Sequence, residues 1–150
     1  RGADGLQAWS VIVRPVTPAE TAELRRAVLR GGRPVLLPGD DEPAFHVGGY
    51  DGEVLVGTGN VRREPAPWAP EQPAWRLRGM ATAPAARGCG VGAQLLAALL
   101  AHCREHGGGL LWCHARTPAQ RFYERAGLQT RGQPWEDPEI GPHVIMWREL

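Results

Sequence analysis

Apolar residues recur at helical spacing in one stretch near the middle of the chain. They are Val91, Leu95, Leu96, Leu99, Leu100 and Cys103. This spacing predicts an amphipathic helix with one face in the core. Gly107-Gly108-Gly109 ends the pattern, and the glycine-rich stretch Arg87-Gly88-Cys89-Gly90-Val91-Gly92 precedes it. The N-terminus of the helix should therefore point at that glycine-rich turn.

The residues before the turn predict four strands and one helix. The strands are Trp9–Val16, Ala44–Tyr50, Glu53–Val61 and Leu77–Thr82, with Asp51-Gly52 as a hairpin turn and Ala83-Pro84 as a stop. Thr17-Pro18-Ala19-Glu20 is a capping box with proline at the first helical position, and it predicts a helix to about Leu29. Leu24, Val28 and Leu29 should face inward, whereas Arg25, Arg26 and Arg30 should form a solvated face.

After the central helix, the pattern predicts three more strands and a short helix. Leu110–His114 is a fully apolar strand suited to a sheet interior, Leu128–Gln133 is the next, and His143–Arg148 is the last. Thr117-Pro118-Ala119-Gln120 is a second capping box, and it should start a helix of about ten residues that Gly127 closes. Gly31–Pro43, Arg62–Pro73 and Pro134–Pro142 are predicted loops. This alternation of strands and helices predicts a mixed α/β sheet.

Length and charge narrow the class of protein. A chain of 150 residues predicts a single domain over 1–150, with residues 1–8 as a flexible lead-in. A net charge of +1 with 22% charged residues argues against nucleic acid or a membrane as a partner. No apolar run reaches the ~20 residues that cross a bilayer, and no secretory signal is recognisable.

The three cysteines do not form a recognisable disulfide or metal-binding pattern. Cys89, Cys103 and Cys113 are odd in number and widely spaced, and no CxxC or histidine pair accompanies them. This usage predicts a reducing cytoplasm and no metal cofactor. Cys89 lies in the glycine turn, where a helix N-terminus could make a thiol reactive, although an unconstrained position is the simpler interpretation.

The glycine turn itself predicts an anion site. The start of a helix offers four unpaired N–H groups and about half a positive charge, and Arg87 adds a full charge. Gly88-x-Gly90-x-x-Ala93 fits a dinucleotide fingerprint, but residues 83–87 separate it from the strand. A dinucleotide site also needs an acidic residue at the end of the next strand, and Leu110–His114 has none. Arg87, Gly90 and Gly92 fit the alternative pattern Arg-x-x-Gly-x-Gly.

With that pattern the chain resembles the GNAT superfamily of N-acetyltransferases, whose pyrophosphate loop has this form. Thr117–Leu128, TPAQRFYERAGL, is similar to the second signature of the family. The segments Leu111–Arg116, LWCHAR, and Ile140–Met146, IGPHVIM, resemble a subgroup of small bacterial members. The resemblance implies a GNAT-like mixed, mostly antiparallel central sheet with flanking helices. It also implies transfer of an acetyl group from acetyl-CoA to an amine of a small molecule or peptide, by direct attack in a ternary complex.

The resemblance also assigns roles to residues. Coenzyme A would be held, mostly through backbone N–H groups, by Arg87, Gly88, Cys89, Gly90, Val91, Gly92 and Ala93. Met80, Ala81 and Thr82 match the strand that splays from its neighbour and pairs with the pantetheine arm, unless they are ordinary ladder residues. Tyr123 falls on the general-acid tyrosine, and a phenol of ordinary pKa about 10 suits a donor to a thiolate. Packing is the competing interpretation, with Phe122 beside it expected in the core.

The general base is open at this point. If the last strand runs antiparallel to Leu110–His114, as in the family, His143 lies near the end that carries His114 and Arg116. Imidazole titrates near neutrality, so His143 could take an ammonium proton, although a structural hydrogen bond is its alternative role. Glu136 and Asp137 could do the same or bind a cationic acceptor.

Arg116 departs from the wider family, where the position seven before the tyrosine is often an asparagine that contacts pantetheine. An arginine can instead bind phosphate or a carboxylate, so an acidic acceptor is conceivable. The alternative function is a non-catalytic acyl-CoA-binding regulatory module. In either case the protein is expected as a monomer or a homodimer.

Overall fold

The structure is a computed structural model that describes residues 11–29, 43–138 and 141–150. Seven strands and three α-helices lie within these residues. In chain order they are β1 Ile12–Pro15, α1 Pro18–Leu29, β2 Ala44–Asp51, β3 Val54–Arg63, β4 Ala74–Thr82, α2 Val91–Glu105, β5 Leu110–Arg116, α3 Gln120–Arg125, β6 Gln129–Asp137 and β7 Gly141–Glu149. The predicted lead-in, Arg30 and nearly all of the Gly31–Pro43 loop lie outside the described residues.

The strands are hydrogen-bonded in the order β1-β2-β3-β4-β5-β7-β6. Strand β1 is antiparallel to β2, β5 and β6 are both antiparallel to β7, and β4 is parallel to β5. The parallel pair needs a crossover, which α2 provides. The prediction of a mixed, mostly antiparallel sheet with flanking helices is confirmed.

Contacts divide the chain into two compact units. The first comprises the described residues of 1–60 together with 79–99, and the second comprises 61–78 and the described residues of 100–150. The first unit holds β1, α1, β2, the glycine turn and the N-terminal part of α2. The second holds β5, α3, β6 and β7. Strands β3 and β4 and helix α2 contribute residues to both.

Helix α1 begins with the predicted capping box. The backbone N–H of Thr17 donates to Glu20 Oε1 at 3.0 Å, and the N–H of Glu20 donates to Thr17 Oγ1 at 3.3 Å. The predicted solvated face is wrong for Arg25, which is only 7% exposed. Its Nε donates to Thr21 Oγ1 at 2.9 Å, one helical turn back, because both residues lie on the packed side of the helix.

In the first unit, glycines in the strands allow α2 to approach the sheet closely. A Cβ added at Gly57 would lie 2.7 Å from Leu95 Cδ1 and 2.9 Å from Val91 Cγ1. Leu95 and Val91 are fully buried, and the other members of the predicted stripe are buried as well. The stripe is therefore confirmed, and Gly57 is required by packing rather than by a turn.

In the second unit, β5 is the interior strand that its apolar sequence predicts. Leu110 to Cys113 are all buried, and each has a partner on β7, from Leu110↔Glu149 to Arg116↔His143. The proline-rich Arg62–Pro73 segment contributes Trp68, which packs edge-on against Trp112 at 6.1 Å between ring centroids. The segment is thus fixed to the sheet by an aromatic contact.

Two local predictions in the second unit are wrong. Pro134–Pro142 is predicted as a loop, but its first part belongs to β6, which continues to Asp137. The pairing of β6 with β7 has a register irregularity between Arg131 and Trp135. The second capping box does not form: Thr117–Ala119 is a 3₁₀ turn without a side-chain cap, and α3 has only six residues. Gly127, with φ of 90°, follows that helix as expected.

Candidate active site

The glycine turn between β4 and α2 is open on its outer side. Gly88 and Gly90 have φ of 76° and 84°, a left-handed conformation that favours glycine. A Cβ added at either position would have no heavy atom within 4 Å. Packing within the protein therefore does not require these glycines, whereas the backbone conformation and the close approach of a ligand do.

The start of α2 presents unused donors to this open space. Of the first four N–H groups, that of Gln94 donates to the carbonyl of Gly90 at 3.1 Å. Those of Val91, Gly92 and Ala93 have no backbone acceptor in the described part of the chain. Together with the helix dipole, three such groups form a site for an anion.

Arg87 joins the turn to the strand before it. Its Nε donates to the carbonyl of Thr82 at 3.2 Å, and no described residue contacts its terminal nitrogens within hydrogen-bond distance. The side chain is exposed, so its charge adds to the attraction for an anion but is screened by salt. Cys89 is half-buried, and its Sγ lies 3.5 Å from the carbonyl oxygen of Arg87.

The strand end that precedes the turn changes conformation at Gly79. This residue has φ of 63°, and a Cβ there would lie 2.8 Å from Asn60 Nδ2. Met80, Ala81 and Thr82 follow it, with Ala81 buried and the other two half-buried. A glycine inside a predicted strand is a sequence signal for such an irregularity, and Gly79 lies inside the predicted strand Leu77–Thr82. The turn and Met80–Thr82 belong to the same unit.

Tyr123 and His143 belong to the second unit. Tyr123 lies on α3 and is 8% exposed, whereas Phe122, expected in the core, is only half-buried. Burial raises the pKa of Tyr123 above its ordinary value, with a further increase from Cys113 and a decrease from Arg116. No described residue accepts or donates a hydrogen bond at its hydroxyl. The phenol therefore stays protonated and can still donate its hydrogen to a ligand.

His143 is the first residue of β7 that pairs with both neighbouring strands, β5 and β6. Its Nδ1 lies 2.8 Å from the carbonyl oxygen of Gly141. A carbonyl can only accept, so the hydrogen is on Nδ1 and the neutral ring has a free lone pair on Nε2. The ring is 5% exposed and stacks on Trp135 at 5.7 Å with an interplanar angle of 27°. The predicted antiparallel pairing and the nearness of His143 to Arg116 are confirmed.

His114 carries a network that the sequence did not indicate. Its Nδ1 lies 3.3 Å from Arg76 Nη2 and must accept from it, because a guanidinium only donates. Arg76 also donates to Glu64 Oε2 at 3.0 Å. Burial lowers the pKa of His114 below its ordinary value, and the charge of Arg76 lowers it further. Trp135 lies edge-on to His114 at 5.1 Å between ring centroids.

The predicted acidic loop residues lie on strand β6. Glu136 pairs with Pro142 and Asp137 pairs with Gly141 in the ladder with β7. Within the described residues, no group of three or more histidine, cysteine or acidic side chains could hold a metal ion. No described helix combines the length and the apolar character that crossing a membrane demands.

The protein is thus an α/β protein in which an open turn with unpaired N–H groups joins strand β4 to helix α2. Comparison with known proteins gives the family. The model of the acetyltransferase (GNAT) family matches residues 14–128. The chain therefore belongs to the GNAT family.

Individual relatives agree with this membership. The chain is 28% identical over 142 residues to the uncharacterized N-acetyltransferase YitI of Bacillus subtilis, covering 92% of this chain and 95% of YitI. A Lactobacillus plantarum protein assigned as an N-acetyltransferase superposes with a TM-score of 0.74 at 26% identity, covering 96% and 99% of the two chains. The fold is shared with yncA of Salmonella typhimurium, solved with its cofactor acetyl-CoA, at a TM-score of 0.72 and 14% identity over 93% and 94%.

Proposed function

We propose that the protein transfers an acetyl group from acetyl-CoA to the amine of a small molecule or peptide, by direct attack in a ternary complex. The observation that carries this proposal is the open turn at the start of α2, with free N–H groups on Val91, Gly92 and Ala93. The acetyl-CoA in yncA supports the choice of cofactor. The three unpaired cysteines support the cytoplasm as the compartment.

The first unit would hold the cofactor. Arg87, Gly88, Cys89, Gly90, Val91, Gly92 and Ala93 would bind the pyrophosphate, because the turn leaves open the space that a Cβ would fill at Gly88 and Gly90. Met80, Ala81 and Thr82 would pair with the pantetheine arm, and the backbone there would polarise the thioester carbonyl. Gly79 supports this role, since its positive φ departs from extended strand geometry directly before them.

Tyr123 would donate a hydrogen bond, and then its proton, to the departing sulfur. The raised pKa keeps the phenol protonated at neutral pH. Burial that raises the pKa of the phenol would also raise that of a thiolate held beside it, which would favour protonation of the sulfur. The unpaired hydroxyl is the observation that favours this role over packing alone.

His143 would take the proton from the attacking amine. Its Nε2 carries the lone pair because Nδ1 is committed to Gly141. A base positioned in this way contributes roughly 10²–10⁴-fold to a rate.

The test is the release of free thiol from acetyl-CoA with a panel of amines, for the wild type and for Tyr123→Phe. We expect turnover by the wild type, and a large loss of kcat in the variant with cofactor affinity nearly unchanged. Phe122→Leu is the matched control, since it alters the neighbouring ring without removing a hydroxyl. Tight cofactor binding without turnover on any amine would favour a non-catalytic acyl-CoA-binding module instead.

A further inference from the structure

Three neighbouring strands of the second unit place a cation, an imidazole and an indole in one row. Arg116 of β5 pairs with His143 of β7, and His143 pairs with Trp135 of β6. Directly paired residues point to the same face of a sheet, with Cβ atoms roughly 4.5–5.5 Å apart. The three side chains therefore form a continuous cross-strand row on one face of this unit.

Each member of the row offers a different contact. Arg116 supplies a guanidinium, whose planar fork matches a carboxylate. His143 offers the lone pair on Nε2, which can accept from a neutral amine. Trp135 is 37% exposed, which makes it one of the few large apolar side chains left accessible among the described residues. Its indole, flanked by His143 and His114, offers an aromatic surface to a planar group.

The charges on this face favour an anion. By register, Arg76, Arg78 and Arg131 lie on the same face as Arg116, since Arg76 pairs with Trp112 and Arg131 with Ile145. By the same register, the carboxylates brought to it within the described chain are those of Glu64, Asp137 and Glu149, the last of which pairs with Leu110. Glu64 already bridges Arg62 and Arg76, at 3.0 Å to each. The four guanidinium groups of Arg76, Arg78, Arg116 and Arg131 therefore exceed the carboxylates by one, which favours an anionic over a cationic ligand.

We propose that the row Arg116–His143–Trp135 binds the acceptor and selects an amine that also carries a carboxylate and an aromatic ring. Arg116 takes the carboxylate, Nε2 of His143 takes a hydrogen of the amine, and Trp135 takes the ring. This inference rests on the proposed function, because it names the substrate class of that reaction.

The test compares three small, readily obtained amines as acetyl acceptors. L-phenylalanine carries the carboxylate, the amine and the ring; phenethylamine lacks the carboxylate; L-alanine lacks the ring. We expect kcat/KM for phenylalanine to exceed each of the others by about tenfold or more, a difference of about 1.4 kcal/mol. In Arg116→Gln the ratio of phenylalanine to phenethylamine should fall to near one, and in Trp135→Ala the ratio of phenylalanine to alanine should fall likewise.

Arg121→Gln is the control, because Arg121 is an exposed arginine on α3 outside the row. It should preserve both ratios, and Arg116→Lys should keep part of the carboxylate preference if Arg116→Gln folds poorly. Equal acetylation of phenethylamine and phenylalanine by the wild type would overturn the inference and leave the proposed function standing. Calorimetric binding of phenylalanine that Arg116→Gln abolishes, without acetylation of any amine, would support the inference and contradict the proposed function.

Discussion

His143 donates the hydrogen on Nδ1 to the backbone carbonyl of Gly141, 2.8 Å away. The two ring nitrogens therefore have different roles. Nδ1 makes a structural hydrogen bond within the protein, whereas Nε2 can accept a hydrogen from a substrate. His143→Asn can reproduce the donor near Nδ1 but has no base at the position of Nε2.

We therefore expect His143→Asn to retain the melting temperature of the wild type while losing roughly 10²-fold or more in kcat/KM for the acceptor. An asparagine variant as active as the wild type would show that another group, or water, accepts the proton.

Gly90→Val should abolish coenzyme A binding and leave a folded protein. Valine is strained at φ of 84°, and its side chain would enter the open space in front of the turn. Gly52→Val is the matched control, since Gly52 has φ of 64° and equally open surroundings but lies in the β2–β3 turn. Arg87→Ala should cost only roughly 0–1 kcal/mol because the side chain is exposed. Calorimetry decides, and wild-type affinity in Gly90→Val would rule out the turn as the pyrophosphate site.

Gly57→Ala should destabilise the protein by roughly 1–3 kcal/mol, because an added methyl group overlaps Leu95 and Val91 in a packed core. Gly49→Ala on the neighbouring strand is the control. Its Cβ would meet the same two side chains at an ordinary 3.6 Å. Urea unfolding of both variants measures the difference, and equal free energies of unfolding would mean that α2 does not approach β3 as closely as described.

Acid should weaken the fold through Glu20. The hydrogen bond from the backbone of Thr17, then that from Tyr50 and the ion pair with Arg14, lower the pKa of Glu20 from 4.5 to about 2. A lowered carboxyl pKa gives stability that is present above pH 4.5 and is lost as the pH falls towards 2. Glu20→Gln should be less stable than the wild type at neutral pH, with the difference shrinking through that window.

Glu23→Gln is the control for Glu20→Gln, since Glu23 is an exposed residue of the same helix and pairs with Arg26 at 2.5 Å. Thermal unfolding between pH 2 and 7 measures both variants. A constant difference between wild type and Glu20→Gln across that range would show that the carboxylate is not responsible.

The features that the sequence predicts well are those with a local physical signal. The capping box at Thr17, the hairpin turn near Gly52 and the apolar stripe on α2 each depend on residues a few positions apart. The open turn before α2 is predictable for the same reason, since it combines a strand end, glycines and a helix start in consecutive residues.

The features that it predicts poorly depend on partners distant in the chain. Pro134 suggests a loop, but β6 is at the edge of the sheet, where a missing N–H is tolerated. The row of Arg116, His143 and Trp135 exists only through the registers of β5, β6 and β7, which are not readable from any one strand. The helical pattern places Arg25 on the polar side of α1, yet the side chain is buried and bonds to Thr21.

The most direct measurement of the central claim is the product balance of a reaction with acetyl-CoA and an accepted amine. Mass spectrometry would quantify the N-acetylated amine, and a thiol reagent would quantify free coenzyme A in the same sample. Direct transfer predicts equal amounts of the two products, formed only when the amine is present. Coenzyme A released without an acetylated amine, or an acetylated protein that accumulates in place of that product, would contradict the account.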